Sequence, residues 1–266
     1  MKRISIKVNA KINLSLDITG VREDGYHNLD MLMSSVDIFD TITAQKSDKS
    51  QVTMDGQVVE GNNTAVKALA LLQEKFNIAM KVDIVKGIPF SAGMGGSSAD
   101  ASGVFYCANK LFGISVDEMI PLALKVGCDV PYMIFGGGAR VQGVGEIITP
   151  VKIQPLTLVI AQKTVGSSTK DIYKKYDAVG RDRCDGKPYF NALERGAVML
   201  NPQIADAKAD LLKFTQSVFM TGSGSAYVGV FEDDEKARRC KRSLQGYVFC
   251  KLAHTKSQGI EIIEQV

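Results

Sequence analysis

Pro89-Phe90-Ser91-Ala92-Gly93-Met94-Gly95-Gly96-Ser97-Ser98-Ala99-Asp100 is the stretch on which the fold turns. From Gly93 to Ser98 most side chains are absent or carry a hydroxyl, so consecutive backbone N–H groups can approach a ligand closely. Upstream, Met80–Val85 reads as a strand. Downstream, Val104, Phe105, Ala108, Leu111 and Phe112 form an apolar stripe at helical spacing, so the helix begins at the loop. A strand, a glycine loop and a helix N-terminus together make a cradle for an anion, and ATP phosphates fit that field. The loop is neither GxxxxGK[ST] nor a complete GxGxxG, because no Lys follows it and Ser98 stands where a third Gly would be. Taken by itself, a Gly/Ser loop is more often a flexible turn.

Working outward, the first 60 residues read as a β-meander. Short strands are expected around Ser5–Asn9, Leu14–Thr19, Met31–Asp37 and Thr41–Ala44, with turns at Gly20, Asp24-Gly25 and Asp55-Gly56. Asn63 caps a helix bearing Val66, Leu69, Gln73 and Phe76. Ser115 and Glu118 have capping-box spacing for another, in which Pro121 implies a late start or a bend. Beyond Pro150 the chain restarts with an apolar strand, Leu156–Ala161, followed by a polar tract, Lys163–Lys187. Asn201 with Pro202 opens a helix to about Lys213. Strands near Val218, Tyr227–Phe231 and Tyr247–Cys250 then enclose a charged helix, Asp233–Arg242. The expected organisation is α+β, with domains at 1–150 and 151–266.

With 266 residues, 45% apolar and 23% charged, the chain can bury a substantial core, which excludes disordered and disulfide-stapled classes. A net charge of +3 is too small to argue for nucleic-acid binding, and no stretch reads as a membrane span. Cys107, Cys128, Cys184, Cys240 and Cys250 form no close pair and read as reduced thiols; with no apolar targeting stretch before Ala10, a cytoplasmic, soluble protein is expected. His27 and His254 lie far apart in sequence, which removes HExxH and most histidine-based metal patterns.

The glycine segment resembles the central phosphate-binding motif of the GHMP kinases, the superfamily of galactokinase, homoserine kinase, mevalonate kinase and phosphomevalonate kinase. Two further segments occur in that superfamily's order: Ala10-Lys11-Ile12-Asn13-Leu14, and Thr221-Gly222-Ser223-Gly224-Ser225-Ala226, which is similar to its third, glycine-rich motif. The pairing of the first with Arg22-Glu23-Asp24-Gly25-Tyr26-His27 is similar to one branch, the kinases that act on a cytidine-diphosphate-linked methylerythritol in non-mevalonate isoprenoid synthesis. Gly127-Cys128-Asp129-Val130-Pro131, Gly136-Gly137 through Glu146, and Asn191 with Glu194 match that branch's remaining landmarks.

The resemblance implies a two-domain fold with a cleft between the domains, and in it direct phosphoryl transfer from ATP, accompanied by Mg²⁺, to a hydroxyl of a small cytidine-diphosphate-linked substrate; charge and hydropathy leave neither nucleic acid nor membrane as an expected partner. It makes Asp129 the general base and Lys11 its ammonium partner. The loop from Pro89 to Ala99 would hold ATP. Tyr26 and His27, expected to be exposed after a turn, would recognise cytosine by stacking and hydrogen bonding. Asn13 would bond the polyol, and Tyr189 is a weaker candidate for a second aromatic wall, with Phe190 its competitor. Without the resemblance, Asp129 reads as a turn or cap residue, Lys11 as a solvated edge, His27 as structural and Gly222–Ser225 as a hairpin turn. No carboxylate cluster names a metal ligand; Asp100 reads as a first-turn stabiliser of its helix.

The loop departs from the branch's usual Gly-Gly-Gly-Ser-Ser-Asp-Ala, which leaves open whether Ser97 or Ser98 meets phosphate. The branch's Asn-Asp-Leu-Glu appears as Asn191-Ala192-Leu193-Glu194. Two rivals stand beside this reading: a kinase of homoserine, mevalonate or another sugar alcohol, against which Tyr26-His27 argues, and a nucleotide-binding regulator without turnover, against which intact Lys11 and Asp129 argue. Nothing in the sequence specifies an oligomeric state.

Overall fold

The computed structural model describes residues 2–180 and 188–266; Cys184 and the Asp185-Gly186 turn signal lie outside the described residues. The chain opens with β1 (Arg3–Val21) and β2 (His27–Lys46), a single long antiparallel hairpin turned at Asp24-Gly25. Four short strands were expected from this region. Two long ones form because the apolar alternation never stops: Ile4, Ile6, Val8, Ala10, Ile12, Leu14, Leu16 and Ile18 are all buried, and Gly20 lies inside the strand. Three register shifts, at Asn9/Ala10, Asn13/Ser15 and Ile18/Gly20, bend the ribbon without ending it.

Two short strands, β3 (Gln51–Met54) and β4 (Gln57–Val58), turn at Asp55-Gly56 as expected. Helix α1 (Thr64–Phe76) is capped by the Asn63 side chain, which accepts from Ala65 and Val66 N–H, and β5 (Met80–Val85) then leads into the glycine segment. Helix α2 (Gly96–Phe112) begins inside that segment. It lies hard against the β1–β2 ribbon at Gly103, where a Cβ would come within 2.2 Å of Ile42 Cδ1 and 3.0 Å of Val8 Cγ2. A glycine in mid-helix costs up to about 1 kcal/mol, and here its missing side chain sets the depth at which the helix seats.

Helix α3 (Val116–Val126) starts at the full Ser115–Glu118 capping box and runs through Pro121, so the late start inferred from that proline does not occur. Next come α4 (Val130–Phe135), β6 (Ala139–Gly143) and β7 (Ile147–Pro150). The second half supplies β8 (Thr157–Gln162), α5 (Thr169–Val179), β9 (Phe190–Asn191), α6 (Glu194–Leu200), a 3₁₀ turn at Pro202–Ile204, α7 (Ala205–Leu212), β10 (Val218–Met220), β11 (Tyr227–Phe231), α8 (Asp234–Ser243), β12 (Phe249–Lys256) and β13 (Ile260–Gln265).

The mixed helix and strand content is the expected α+β class. Strand order runs β10-β11-β8-β12-β2-β5-β3-β4, with β12 joining the second half's sheet to β2 of the first through Thr255–Val36 and Lys256–Ser35. The last strand, β13, which sequence reasoning missed, returns to pair with β1 from Ile4 to Val8. These two returns hold the two halves of the chain together around the long hairpin, whose second face supplies the floor of a cleft.

Candidate active site

That second face of β1 carries Asn9, Lys11 and Asn13, all at most 4% exposed although polar. Buried polar groups in mid-strand need partners, and Lys11 has two. Its Nζ donates to Asn13 Oδ1 at 2.7 Å and lies 3.4 Å from Asp129 Oδ2. Asp129 reaches this point as the residue before α4; its carboxylate makes no capping bond, which leaves it turned toward the lysine. The backbone beneath is fixed by Gly145, where a Cβ would come within 2.6 Å of Cys128 O. Lys11 and Asp129, 118 positions apart in sequence, are thus brought together.

Glycines wall the lysine in. A Cβ on Gly95 would sit 3.0 Å from Lys11 Cγ, and one on Gly222 would sit 3.0 Å from Lys11 Nζ. The two glycine loops also touch each other. Gly93, at φ +74°, leaves no room for a side chain, since its Cβ would fall 2.0 Å from Thr221 O. Ser225 and Ala226 N–H donate to Ser91 O and Ala92 O, and Thr221 Oγ1 donates to Gly93 O while accepting from Asn13 N–H. The hairpin-turn reading of Gly222–Ser225 is therefore geometrically correct, since the segment joins β10 to β11, and the turn is also a wall of the site. Asn191 holds it there, donating to Met220 O and Gly222 O.

At the head of α2, Ala99 is the first residue whose N–H bonds back, to Gly95 O at 2.8 Å. The N–H groups of Gly96, Ser97 and Ser98 consequently have no partner within the helix and stand at the positive end of its dipole. All ten residues from Pro89 to Ser98 line a cleft of about 1190 Å³, together with Lys11, Asn13, Tyr26, His27 and Asp129; Ala99 is buried behind it. Residues from both sides of position 150 line this space, among them Ser168, Tyr173 and Gly222.

Beneath the loop lies a group that sequence reasoning did not assemble. Lys86 Nζ, itself buried, bridges Asp40 Oδ2 at 2.5 Å and Asp100 Oδ2 at 2.8 Å, while Asp40 Oδ1 accepts from Gly87 and Ile88 N–H. Asp100 sits in the second turn of α2 and faces Lys86, not in the first turn as expected, because the helix starts earlier than its apolar stripe does. Burial pushes its carboxyl up to about 7, with Asp40 adding to the rise and Lys86 opposing it.

Tyr26 and His27, expected to recognise a base, behave unequally. Tyr26 is exposed, as expected. His27 is not: only 9% of its side chain is accessible, because Nε2 meets Asp177 Oδ1 at 2.7 Å and the ring lies 5.0 Å from Tyr173 and 5.8 Å from Tyr176. All three partners belong to α5, which forms within the tract that read as merely polar. Burial, then the nearby Asp129 and Cys128, push the Tyr173 phenol up, which keeps it a neutral donor. The signal that could have revealed α5 was the spacing of Ile172, Tyr173 and Tyr176, with Ser168 as cap. Tyr189 does not line the cleft: its ring stacks on Phe219 at 4.9 Å beside a separate cavity of about 730 Å³. Phe190 lines that same second cavity.

A shaped space holding a carboxylate, an ammonium, two touching glycine loops and an aromatic-histidine cluster suits the transfer of an anionic group to a hydroxyl. Comparison with known proteins agrees. Residues 63–137 match the GHMP kinases N terminal domain, and residues 176–248 match the GHMP kinases C terminal domain. A 4-diphosphocytidyl-2-C-methyl-D-erythritol kinase of Thermoanaerobacter pseudethanolicus is 35% identical over 99% of this chain and 100% of its own length. One from Clostridium perfringens is 35% identical over 91% of this chain and 94% of its own. Among solved structures, a 4-(cytidine 5'-diphospho)-2C-methyl-D-erythritol kinase superposes with a TM-score of 0.81 at 29% identity, covering 95% of this chain and 99% of that one. A homoserine kinase from Cytophaga hutchinsonii superposes at 0.74 with 16% identity, covering 99% and 98%, which is a likeness of fold alone. No helix among the described residues is long and apolar enough to cross a membrane.

Proposed function

Since the chain belongs to the 4-diphosphocytidyl-2-C-methyl-D-erythritol kinases of the GHMP superfamily, we propose that its cleft transfers the terminal phosphoryl group of ATP to a hydroxyl of that cytidine-linked polyol, in the cytoplasm, as a step of isoprenoid synthesis. The single observation that carries this reading is the 3.4 Å approach of Lys11 to Asp129 on the floor of a space bounded by both glycine loops.

Asp129 accepts the proton of the attacking hydroxyl, a role worth about 10²–10⁴ in rate. Lys11, 3.4 Å from that carboxylate, offsets charge on the phosphoryl group in transit. Asn13 orients Lys11 through Oδ1. Its Nδ2 rests 3.2 Å from Met31 Sδ, a weak acceptor that a substrate hydroxyl replaces with advantage. The N–H groups of Gly96, Ser97 and Ser98 cradle the phosphates, and the Gly222–Gly224 turn closes on them from the other side. Tyr26 and His27 bind cytosine, with Tyr173 in place of Tyr189 as the facing ring.

Magnesium fits this donor set in one manner. Among the described residues no three His, Cys, Asp or Glu side chains gather into a cage, and Asp100 is committed to Lys86. An ion carried by nucleotide phosphates and retaining its waters needs one or two protein oxygens, which Ser97 or Ser98 would supply. When bound, the ion neutralises phosphate charge.

The test offers ATP and Mg²⁺ with the cytidine-linked methylerythritol, homoserine or mevalonate in separate reactions and follows ADP release and the phosphorylated product. Turnover with the cytidine substrate alone is expected. Greater turnover with homoserine or mevalonate, or none with any, refutes the reading.

A further inference from the structure

Helix α5 crosses the cleft from one chemical end to the other, and its cleft-facing stripe carries two charges that nothing described so far uses. Near its N-terminus, Thr169 Oγ1 lies 3.0 Å from Ser223 Oγ, on the glycine turn whose Gly222 abuts Lys11. Near its C-terminus, Tyr173 and Asp177 hold His27. The eight helical steps from Thr169 to Asp177 span about 12 Å. Lys170, Tyr173, Lys174 and Asp177 stand at i, i+3, i+4 and i+7, one face of the helix, and all four line the cleft. Both lysines are exposed to solvent, and among the described residues neither forms an ion pair. Lys175, by contrast, packs its Cβ toward Gly196 on the far side.

On the reading given above, a nucleobase lies at the His27 end and a reacting hydroxyl at the Lys11–Asp129 end. A substrate that joins cytidine to a polyol through a diphosphate must then lay that diphosphate along the middle of α5. The geometry points to Lys170 and Lys174 as the substrate's diphosphate-binding pair, which makes them determinants of specificity for a nucleoside-diphosphate-linked alcohol over an uncharged one. Two ammonium groups one turn apart match two linked phosphate groups, and the attraction is screened by salt as expected for an open cleft. The inference rests on the cytidine reading of the cleft and adds to it the groups that tell a diphosphate from a bare nucleoside.

Calorimetric titration with CDP and with cytidine separates the two. The wild-type protein is expected to bind CDP roughly 10- to 100-fold more tightly than cytidine, the scale of one or two charge-assisted hydrogen bonds. K170Q/K174Q is expected to bring that ratio within about threefold by weakening CDP alone, while K175Q leaves it intact. In turnover, the double variant raises KM for the cytidine-linked substrate and holds KM for ATP within about twofold, which also reports that the fold survives. An undiminished CDP preference in K170Q/K174Q overturns the inference, and so does a rise confined to KM for ATP. A wild-type protein that binds neither CDP nor cytidine instead removes the cytidine reading, and this inference with it.

Discussion

Replacing Asp129 by asparagine keeps the size of the side chain and removes the charge that faces Lys11. At the observed 3.4 Å, and with an effective dielectric constant of about 20, the Lys11–Asp129 attraction is worth about 5 kcal/mol before screening. The Asp129 side chain is 31% exposed, so a coupling of about 2 kcal/mol is the working figure. On the general-base role proposed for Asp129, its loss costs about 3–5 kcal/mol of transition-state stabilisation, a factor of about 10²–10⁴. D129N is therefore expected to lower kcat at least about 100-fold while changing KM for ATP little, because the Gly96–Ser98 N–H groups proposed to hold the phosphates are untouched. K11M should fall by a comparable factor. The pair acts as a unit, so K11M/D129N should be about 30-fold less impaired than the product of the two single losses, which is the 2 kcal/mol coupling expressed as a rate. Initial rates of ADP release at saturating ATP and acceptor give all three numbers, with circular dichroism as the check on folding. Losses that simply multiply, or a D129N enzyme within about threefold of wild type, would refute the reasoning.

Gly93→Ala places a methyl 2.0 Å from Thr221 O at φ +74°, and a loss of about 2–4 kcal/mol is expected. In a thermal melt it should fall well below Gly113→Ala, which shares the positive φ at +74° but has nothing within 4 Å; equal shifts would contradict the contact between the two glycine loops. Asp100, raised by burial to about 7 in the folded state against an ordinary 3.8, favours folding when protonated. That contribution is full below about pH 4 and lost as pH rises through 7, so D100N should flatten the decline in urea-unfolding free energy between pH 5 and 8, and an unaltered slope counts against the buried group. His254 is raised chiefly by its hydrogen bond to Asp234, with Asp37 adding to it, so its charged form stabilises the fold below about pH 6.5 and the benefit fades as pH passes its raised folded value. H254Q should therefore be less stable than wild type at pH 6, with the gap narrowing at higher pH; a gap that widens would reverse the assignment.

Much of this site was legible because its chemistry is local. The glycine loop, the strand before it and the helix after it follow from backbone freedom and a 3.6-residue stripe, and neither depends on distant residues. The segments around Lys11 and Asp129 pointed to a site only through their resemblance to the GHMP kinases; by themselves they read as a strand edge and a turn. Even the merged β1 was present in the unbroken alternation from Ile4 to Ile18, obscured only by polar residues on its opposite face.

What the linear order of residues determined, then, was which local elements form and which side chains they carry. Tertiary packing alone decided which of those side chains meet. Charge pairing across 118 positions at Lys11–Asp129, the Asp40–Lys86–Asp100 group, the covering of His27 by α5 and the departure of Tyr189 to another cavity all depend on how far helices and turns approach the long hairpin. Those approach distances are set by missing side chains at Gly93, Gly103 and Gly145 and by the return of β12 and β13 to the first half's strands. Steric depth and strand pairing over long separations are sums over the whole chain, and no short window of sequence contains them.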